Sequence, residues 1–179
     1  MSGAACKEPI SAWRHARAIA LLPFVNTVVI PSALLLSFPP LWPLDWTPLT
    51  VAAALAGTAL AAAGAALVVH CVRLFMRLGS GTLAPWDPTR YLISAGAYRH
   101  SRNPMKAGLF LVLAGETLAT RSVALAAWFA CFAIVNAAYI RLHEEPGLAK
   151  RFGAAYRAYC ERVPRWWPAL RALDRSEAP

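Results

Sequence analysis

Metal chemistry and covalent cross-linking find little material in this sequence. Its four histidines are scattered, and Cys6, Cys71, Cys131 and Cys160 lie far apart, so neither a paired metal-ligand spacing nor a disulfide framework emerges. Acidic residues are also few, nine against 18 Lys and Arg. Charge of either sign is missing altogether from three long runs, Ala18–Leu44, Trp46–Val72 and Ser122–Ile140. With 58% of its residues hydrophobic, the chain is too apolar for an ordinary soluble domain, and the bilayer is its natural solvent.

A membrane span takes roughly 20 apolar residues, so each uncharged run holds one helix. Ala107–Thr120 is shorter and carries Glu116. It pairs with the run after Arg121 as a helical hairpin. The first run is long, contains Pro23 and Pro31, and is followed by further spans, so it stays as helix one and is not a cleaved signal peptide. The expected fold is all-α: a polytopic membrane bundle of about four helices in one domain, residues 1–179, with helices one and two in residues 1–78 and the functional core in 79–179.

The net charge of +9 suggests nucleic acid until its placement is considered. With both termini cytoplasmic, the inside segments Met1–Arg17, Arg73–Lys106 and Arg141–Pro179 hold 3, 6 and 8 of the 18 Lys and Arg, and only Arg121 lies outside. That asymmetry fits the positive-inside rule, and the basic surface serves orientation and contact with anionic lipid headgroups. The expected setting is the plasma (inner) membrane of a bacterium, with membrane lipids as partners and neither nucleic acid nor metal.

Along the chain, Pro23 and Pro31 are expected to kink helix one, and Asn26 needs a hydrogen-bonding partner in the bundle. Trp42 and Trp46 suit the interface. Thr47 and Pro48 read as an N-cap and first residue of helix two, where Gly57 and Gly64, seven apart, mark close helix packing. Asn103 and Pro104 repeat that signature and open helix three. Helix four ends near Arg141. Beyond it, Leu148, Phe152, Tyr156, Tyr159 and Val163 recur at helical spacing, which predicts a cytoplasmic amphipathic helix on the membrane surface, with Trp166 and Trp167 as interfacial anchors.

Several groups are candidates for chemistry. Gly79-Ser80-Gly81-Thr82-Leu83-Ala84 resembles a relaxed dinucleotide fingerprint, yet it follows a membrane helix where such a site needs a strand, and that context rejects it. Glu144 and Glu145 sit where helix four is expected to end, an unfavourable place for negative charge, so something positive belongs beside them: a ligand, Arg102 or Arg141. Asn103-Pro104 sets free helix amides toward the same boundary, where Arg99, Arg102 and Lys106 add charge for an anionic group, unless they form only a basic collar for headgroups. Glu116 is an intramembrane carboxylate and so a functional candidate, although pairing with Arg121 or a neutral hydrogen-bonded state accounts for it equally.

Taken together, LISAGAYRHSRNPMKAG, a hairpin, and HEEPGLAKRFGAAYRAYCERVPRWWP resemble the membrane methyltransferase superfamily of isoprenylcysteine carboxyl methyltransferases and phospholipid N-methyltransferases. The resemblance rests on three ordered elements: Gly96, Tyr98, Arg102, Asn103 and Pro104; Glu144, Glu145, Leu148, Phe152 and Gly153; Tyr156, Tyr159, Val163 and Pro164. It covers about half of the chain, residues 81–168. It implies S-adenosylmethionine as methyl donor, with Arg90, Tyr91, Leu92, Ile93, Tyr98, Arg102, Asn103, Pro104, Met105, Lys106 and Glu144 at the cofactor. Glu145 lies close by, and a lipid-like or small hydrophobic acceptor is expected. Physically, a carboxylate suits the donor's ribose hydroxyls and ammonium, a cation or helix N-terminus suits its carboxylate, and Leu92 and Tyr98 suit its adenine. Arg141 and Glu145 are the candidate catalytic residues, Arg141 to place a carboxylate acceptor and Glu145 to take a proton from an ammonium acceptor. Carboxyl O-methylation is the favoured reaction, with phospholipid N-methylation or a non-enzymatic membrane transport or scaffold module as the alternatives. Two positions depart from the family pattern: Asn103 stands where the eukaryotic carboxyl methyltransferases have His, and Lys106 where a Tyr is common.

Overall fold

Proline shapes the first helix. The computed structural model describes residues 20–39, 47–78 and 92–166. In it Ala20–Val29 winds as a π-helix with Pro23 inside and leads into α1 (Ile30–Ser37), which has Pro31 in its first turn. In π-type pairing the Asn26 carbonyl would accept the N–H of residue 31, which proline lacks. Trp128 fills that place from a distant helix, its Nε1 donating to Asn26 O at 3.1 Å. The kink expected from the two prolines is therefore a widened turn, and the Asn26 backbone is tied into the bundle.

Thr47 caps α2 (Pro48–Leu78) as expected, its Oγ1 accepting the N–H of Thr50 at 3.3 Å. At 1.5 Å per residue this helix is about 46 Å long, more than a bilayer core of about 30 Å. Against it, antiparallel, lies α3 (Pro104–Thr120). Two glycine pairs bring the backbones together: Gly57 faces Gly115, and Gly64 faces Gly108. A Cβ on Gly64 would lie 2.6 Å from Gly108 O, so only hydrogen fits there. Arg121, at φ 55°, ends α3 in the left-handed conformation, and Ser122 caps α4 (Val123–Tyr139), accepting from Leu125 N. The last two helices thus form the expected hairpin. Among the described residues, two helical runs are long and apolar enough to cross a membrane, Pro48–Arg77 and the one that begins at Val123. Every regular element among the described residues is helical.

Helix four does not end at Arg141. It continues through a π-turn, Ile140–Glu144, into α5 (Glu145–Arg162). The Glu145 N–H reaches back five residues to Ile140 O, and the wider turn accommodates Pro146, which has no N–H of its own. Glu144 and Glu145 are therefore interior residues of a continuous helical run, and the macrodipole is not what calls for a cation beside them. The apolar part of this run ends at Ile140, and the charged residues from Arg141 onward lie outside the membrane-spanning segment. Gly153 bends α5 at φ 56°, ψ −124°, a conformation only glycine adopts without strain. The stripe Leu148, Phe152, Tyr156, Tyr159 and Val163 is real, but it packs on Leu92 of the same chain: Tyr156, Tyr159 and Val163 are buried there.

Candidate functional site

The segment before α3 is held by its backbone. After a 3-10 turn, Gly96–Arg99, Ser101 and Asn103 are both buried. The Arg102 N–H donates to Pro164 O at 2.9 Å, and Ser101 Oγ lies 3.2 Å from Arg165 O. Asn103 occupies the N-cap position with Pro104 behind it, as expected, yet its side chain does not cap: Nδ2 donates to Arg165 O at 3.3 Å. Satisfying a half-buried carbonyl of the tail outweighs capping here. The same contacts carry Trp166 onto Phe110, with ring centroids 5.3 Å apart, so this tryptophan packs against α3. Trp167 lies outside the described residues.

Tyr98 is the centre of the turn. Its ring meets Phe75 of α2 edge-on at 5.6 Å, and its carbonyl accepts the Tyr159 hydroxyl at 2.7 Å. Burial, then neighbouring Cys71, Tyr159 and Glu144, push its phenol well above the ordinary tyrosine value, so it stays neutral. Tyr159→Phe keeps the packing and leaves the Tyr98 carbonyl without its donor. The expected result is a loss of about 1 kcal/mol, read as a lowered unfolding midpoint in detergent.

The adjacent carboxylates go to different partners. Glu144 pairs with Lys106 of α3, and Lys106 Nζ also lies 5.3 Å from the centroid of the Tyr139 ring. Glu145 faces the tail: Arg165 grips it through both Nε and Nη2, at 2.8 and 2.7 Å, and Arg102 Nη1 lies 3.0 Å from its Oε1. Burial raises the Glu145 pKa, but the Arg165 bond and the charges of Arg102, Arg165 and Arg141 outweigh it and hold the carboxyl below its usual value. Arg102 Nη1 also donates to Cys160 Sγ at 2.8 Å. An open cleft of about 470 Å³ lies beside this clasp, lined by Arg102, Arg141, Glu145, Tyr156, Arg157 and Cys160 among others.

The predicted residues thus divide into two groups. Tyr98, Asn103, Pro104, Lys106 and Glu144 gather around the start of α3 and the π-turn, with Met105 half-buried there, while Leu92, next to half-buried Ile93, packs on the Tyr156, Tyr159 and Val163 stripe of α5. Arg102, Arg141 and Glu145 line the cleft. Arg90 and Tyr91 fall outside the described residues. Glu144 finds its cation in Lys106, not in Arg102 or Arg141. Glu116 stands ten residues along α3 from Lys106, about 15 Å away along the axis, with a buried Oε2 that has no hydrogen-bond partner among the described residues. Tyr139 and Arg165 escaped the sequence reading: nothing in their spacing marks an aromatic facing a lysine 33 positions earlier, or a carboxylate clamp 20 positions from Glu145. Among the described residues no three His, Cys, Asp or Glu come together as metal ligands.

A family model described as phospholipid methyltransferase matches residues 52–155, more than half of the chain, from the start of α2 into α5. No curated protein and no solved structure matches it.

Proposed function

The chain belongs to the phospholipid methyltransferase family and so is a membrane methyltransferase, and from that premise we propose that it methylates a carboxylate on an amphiphilic acceptor with S-adenosylmethionine. One observation carries the choice of acceptor. Glu145 is gripped by Arg165 and Arg102 and held ionised, so it is not free to take a proton, while Arg141 faces the same cleft without an ion pair among the described residues. A carboxylate is already nucleophilic at neutral pH, and needs a cation to place it rather than a base.

The residues at the start of α3 suit the donor. Glu144 and Lys106 pair an acid with a cation, the neutral, half-buried Tyr98 stands near Glu144, and Leu92 offers apolar surface on the α5 stripe, the set that an ammonium, a carboxylate, hydroxyls and a purine call for. When bound, S-adenosylmethionine would supply a sulfonium methyl group that an in-line nucleophile takes as S-adenosylhomocysteine leaves. The work of the protein is alignment and exclusion of water: Glu144 and Lys106 orient one partner, Arg141 and Arg102 the other. Calorimetry with S-adenosylhomocysteine tests the donor, and absence of binding would remove this reading. Glu144→Ala is expected to weaken that binding by about tenfold or more, as for a lost charge-assisted bond of roughly 1.5–3 kcal/mol. Unchanged affinity would take Glu144 out of the site.

The family's own description favours a second reading, N-methylation of a phospholipid amine. It needs a base, which Glu145 does not offer while clasped. Labelled donor offered to membranes containing both a prenylated cysteine and phosphatidylethanolamine separates the two. A carboxyl ester releases its label in alkali, and an N-methyl group does not. Alkali-labile label is the expected outcome, and stable label in the phospholipid fraction would establish the amine. We further place the site at the cytoplasmic face of a bacterial plasma membrane, both termini inside, on the strength of the lysine and arginine asymmetry. The acceptor then enters sideways from the lipid, and equal activity on an analogue without its lipid tail would contradict this.

A further inference from the structure

Lys106 is a charge in an unfavourable place. It is the third residue of α3, where the helix macrodipole opposes a cation, and it stands where a tyrosine is common in the superfamily that the sequence resembles. Its compensation is local and specific: the Glu144 carboxylate from the π-turn and the face of Tyr139, whose ring in turn lies 5.7 Å from that of His143. A carboxylate beside an aromatic face is a receptor for an ammonium group. Here a side chain of the protein fills it. The ammonium of Lys106 is likewise a receptor for an anion, and Glu144 fills that. Both half-sites are partly shielded, with side-chain exposures of 17% for Lys106 and 34% for Glu144, and among the described residues each is the other's ion-pair partner.

We propose that Lys106 and Glu144 form a self-closed receptor for a zwitterion, opened when the ligand's ammonium takes Glu144 and Tyr139 while its anionic group takes Lys106. The exchange leaves every charge paired, so opening requires no uncompensated ion in a partly buried place. A ligand with only one of the two charges strands the opposite partner and is rejected. Polarity is part of the receptor, because the cation belongs to α3 and the carboxylate to the π-turn. Two zwitterions are within reach of a membrane methyltransferase: the amino-acid end of the donor, in which case the inference rests on the proposed function, and the headgroup of phosphatidylethanolamine, in which case it does not.

Exchanging the two charges separates this receptor from a structural ion pair. Lys106→Glu with Glu144→Lys preserves the pair and places the carboxylate where the α3 dipole favours it, so the unfolding midpoint is expected to stay at or above that of the wild type. Full-length protein in detergent is titrated by calorimetry with S-adenosylhomocysteine, with its analogue lacking the carboxylate, and with a short-chain phosphatidylethanolamine. Wild type is expected to bind one zwitterion at least about tenfold more tightly than the swapped protein does. Whichever zwitterion shows this loss is the ligand. If the donor product fails to bind wild type while the phospholipid shows the loss, the receptor stands and the proposed donor site falls. In Lys106→Met, where Glu144 is no longer occupied, the analogue without a carboxylate is expected to bind more tightly than to wild type. The proposal is overturned if the swapped protein binds both zwitterions as wild type does, or if Lys106→Met leaves the affinity for the carboxylate-free analogue unchanged.

Discussion

Gly115→Val is expected to separate α3 from α2 and to cost the protein on the order of 3 kcal/mol or more, beyond the usual range for overpacking because the obstacle is backbone. A Cβ at this position would lie 2.5 Å from both Gly57 O and Ala61 N, and neither atom moves without its whole helix. Within a bilayer no hydrophobic drive brings helices together, since lipid tails are as apolar as Leu. Close van der Waals contact between small residues does that work. A displaced α3 also moves Asn103 and Lys106 away from the tail and from Glu144, so S-adenosylhomocysteine binding should fall with stability. Gly147→Ala is the control. Among the described residues, nothing beyond its own helix lies within 4 Å of its Cβ position, and alanine favours a helix over glycine, so no loss is expected there. Thermal unfolding in detergent measures both, and a Gly115→Val protein as stable as wild type would mean that the helices do not approach this closely.

Close packing at Gly57 and Gly64 was legible because seven residues are nearly two helical turns, which puts both glycines on one face. Their partners, Gly108 and Gly115, show the same spacing of seven, but nothing in the chain says which pair meets which, because register between helices is a property of the assembled bundle. The tail stripe shows the same division. Period alone revealed Leu148, Phe152, Tyr156, Tyr159 and Val163 as one face, and period is silent on whether lipid or protein covers it. The end of helix four was misplaced for a local reason: the uncharged run closes at Arg141 and so reads as the end of the helix, whereas a π-turn carries the helix on past it and absorbs Pro146 at the cost of one wider ring. At the candidate site, residue types and motif order gathered Tyr98, Asn103, Lys106 and Glu144. The division of labour between Glu144 and Glu145 was not readable, since neighbouring positions on a helix point about 100° apart and Glu145 draws partners from both the start of α3 and the tail, Arg102 and Arg165.

Glu145→Ala is expected to cost about 2–3 kcal/mol, below the roughly 3–5 kcal/mol for breaking a fully buried pair, because the partner left charged borders an open cleft. The residues concerned are half-buried, with side-chain exposures of 17% for Glu145, 14% for Arg102 and 27% for Arg165. Arg102 suffers most, because among the described residues its Nε is already buried without a hydrogen-bond partner and its Nη1 would keep only the Cys160 sulfur. The tail from Pro164 to Trp166 is joined to the start of α3 chiefly by backbone carbonyls that Ser101, Arg102 and Asn103 address, and the clasp holds those carbonyls in register. Removing Arg165 as well takes away one stranded charge, so Glu145→Ala with Arg165→Ala should be less damaging than the two single losses added together. Acid acts on the same clasp. The folded state depresses the Glu145 pKa, so its contribution is complete above the unfolded carboxylate value of about 4.3 and is lost as the pH falls below it through the folded value. Unfolding midpoints between neutral pH and pH 3 should therefore fall more steeply for wild type than for Glu145→Ala. A cost for Glu145→Ala of less than about 1 kcal/mol, as at an exposed pair, would show that the tail is held by its backbone contacts alone and would free Glu145 to act as the base that amine methylation requires.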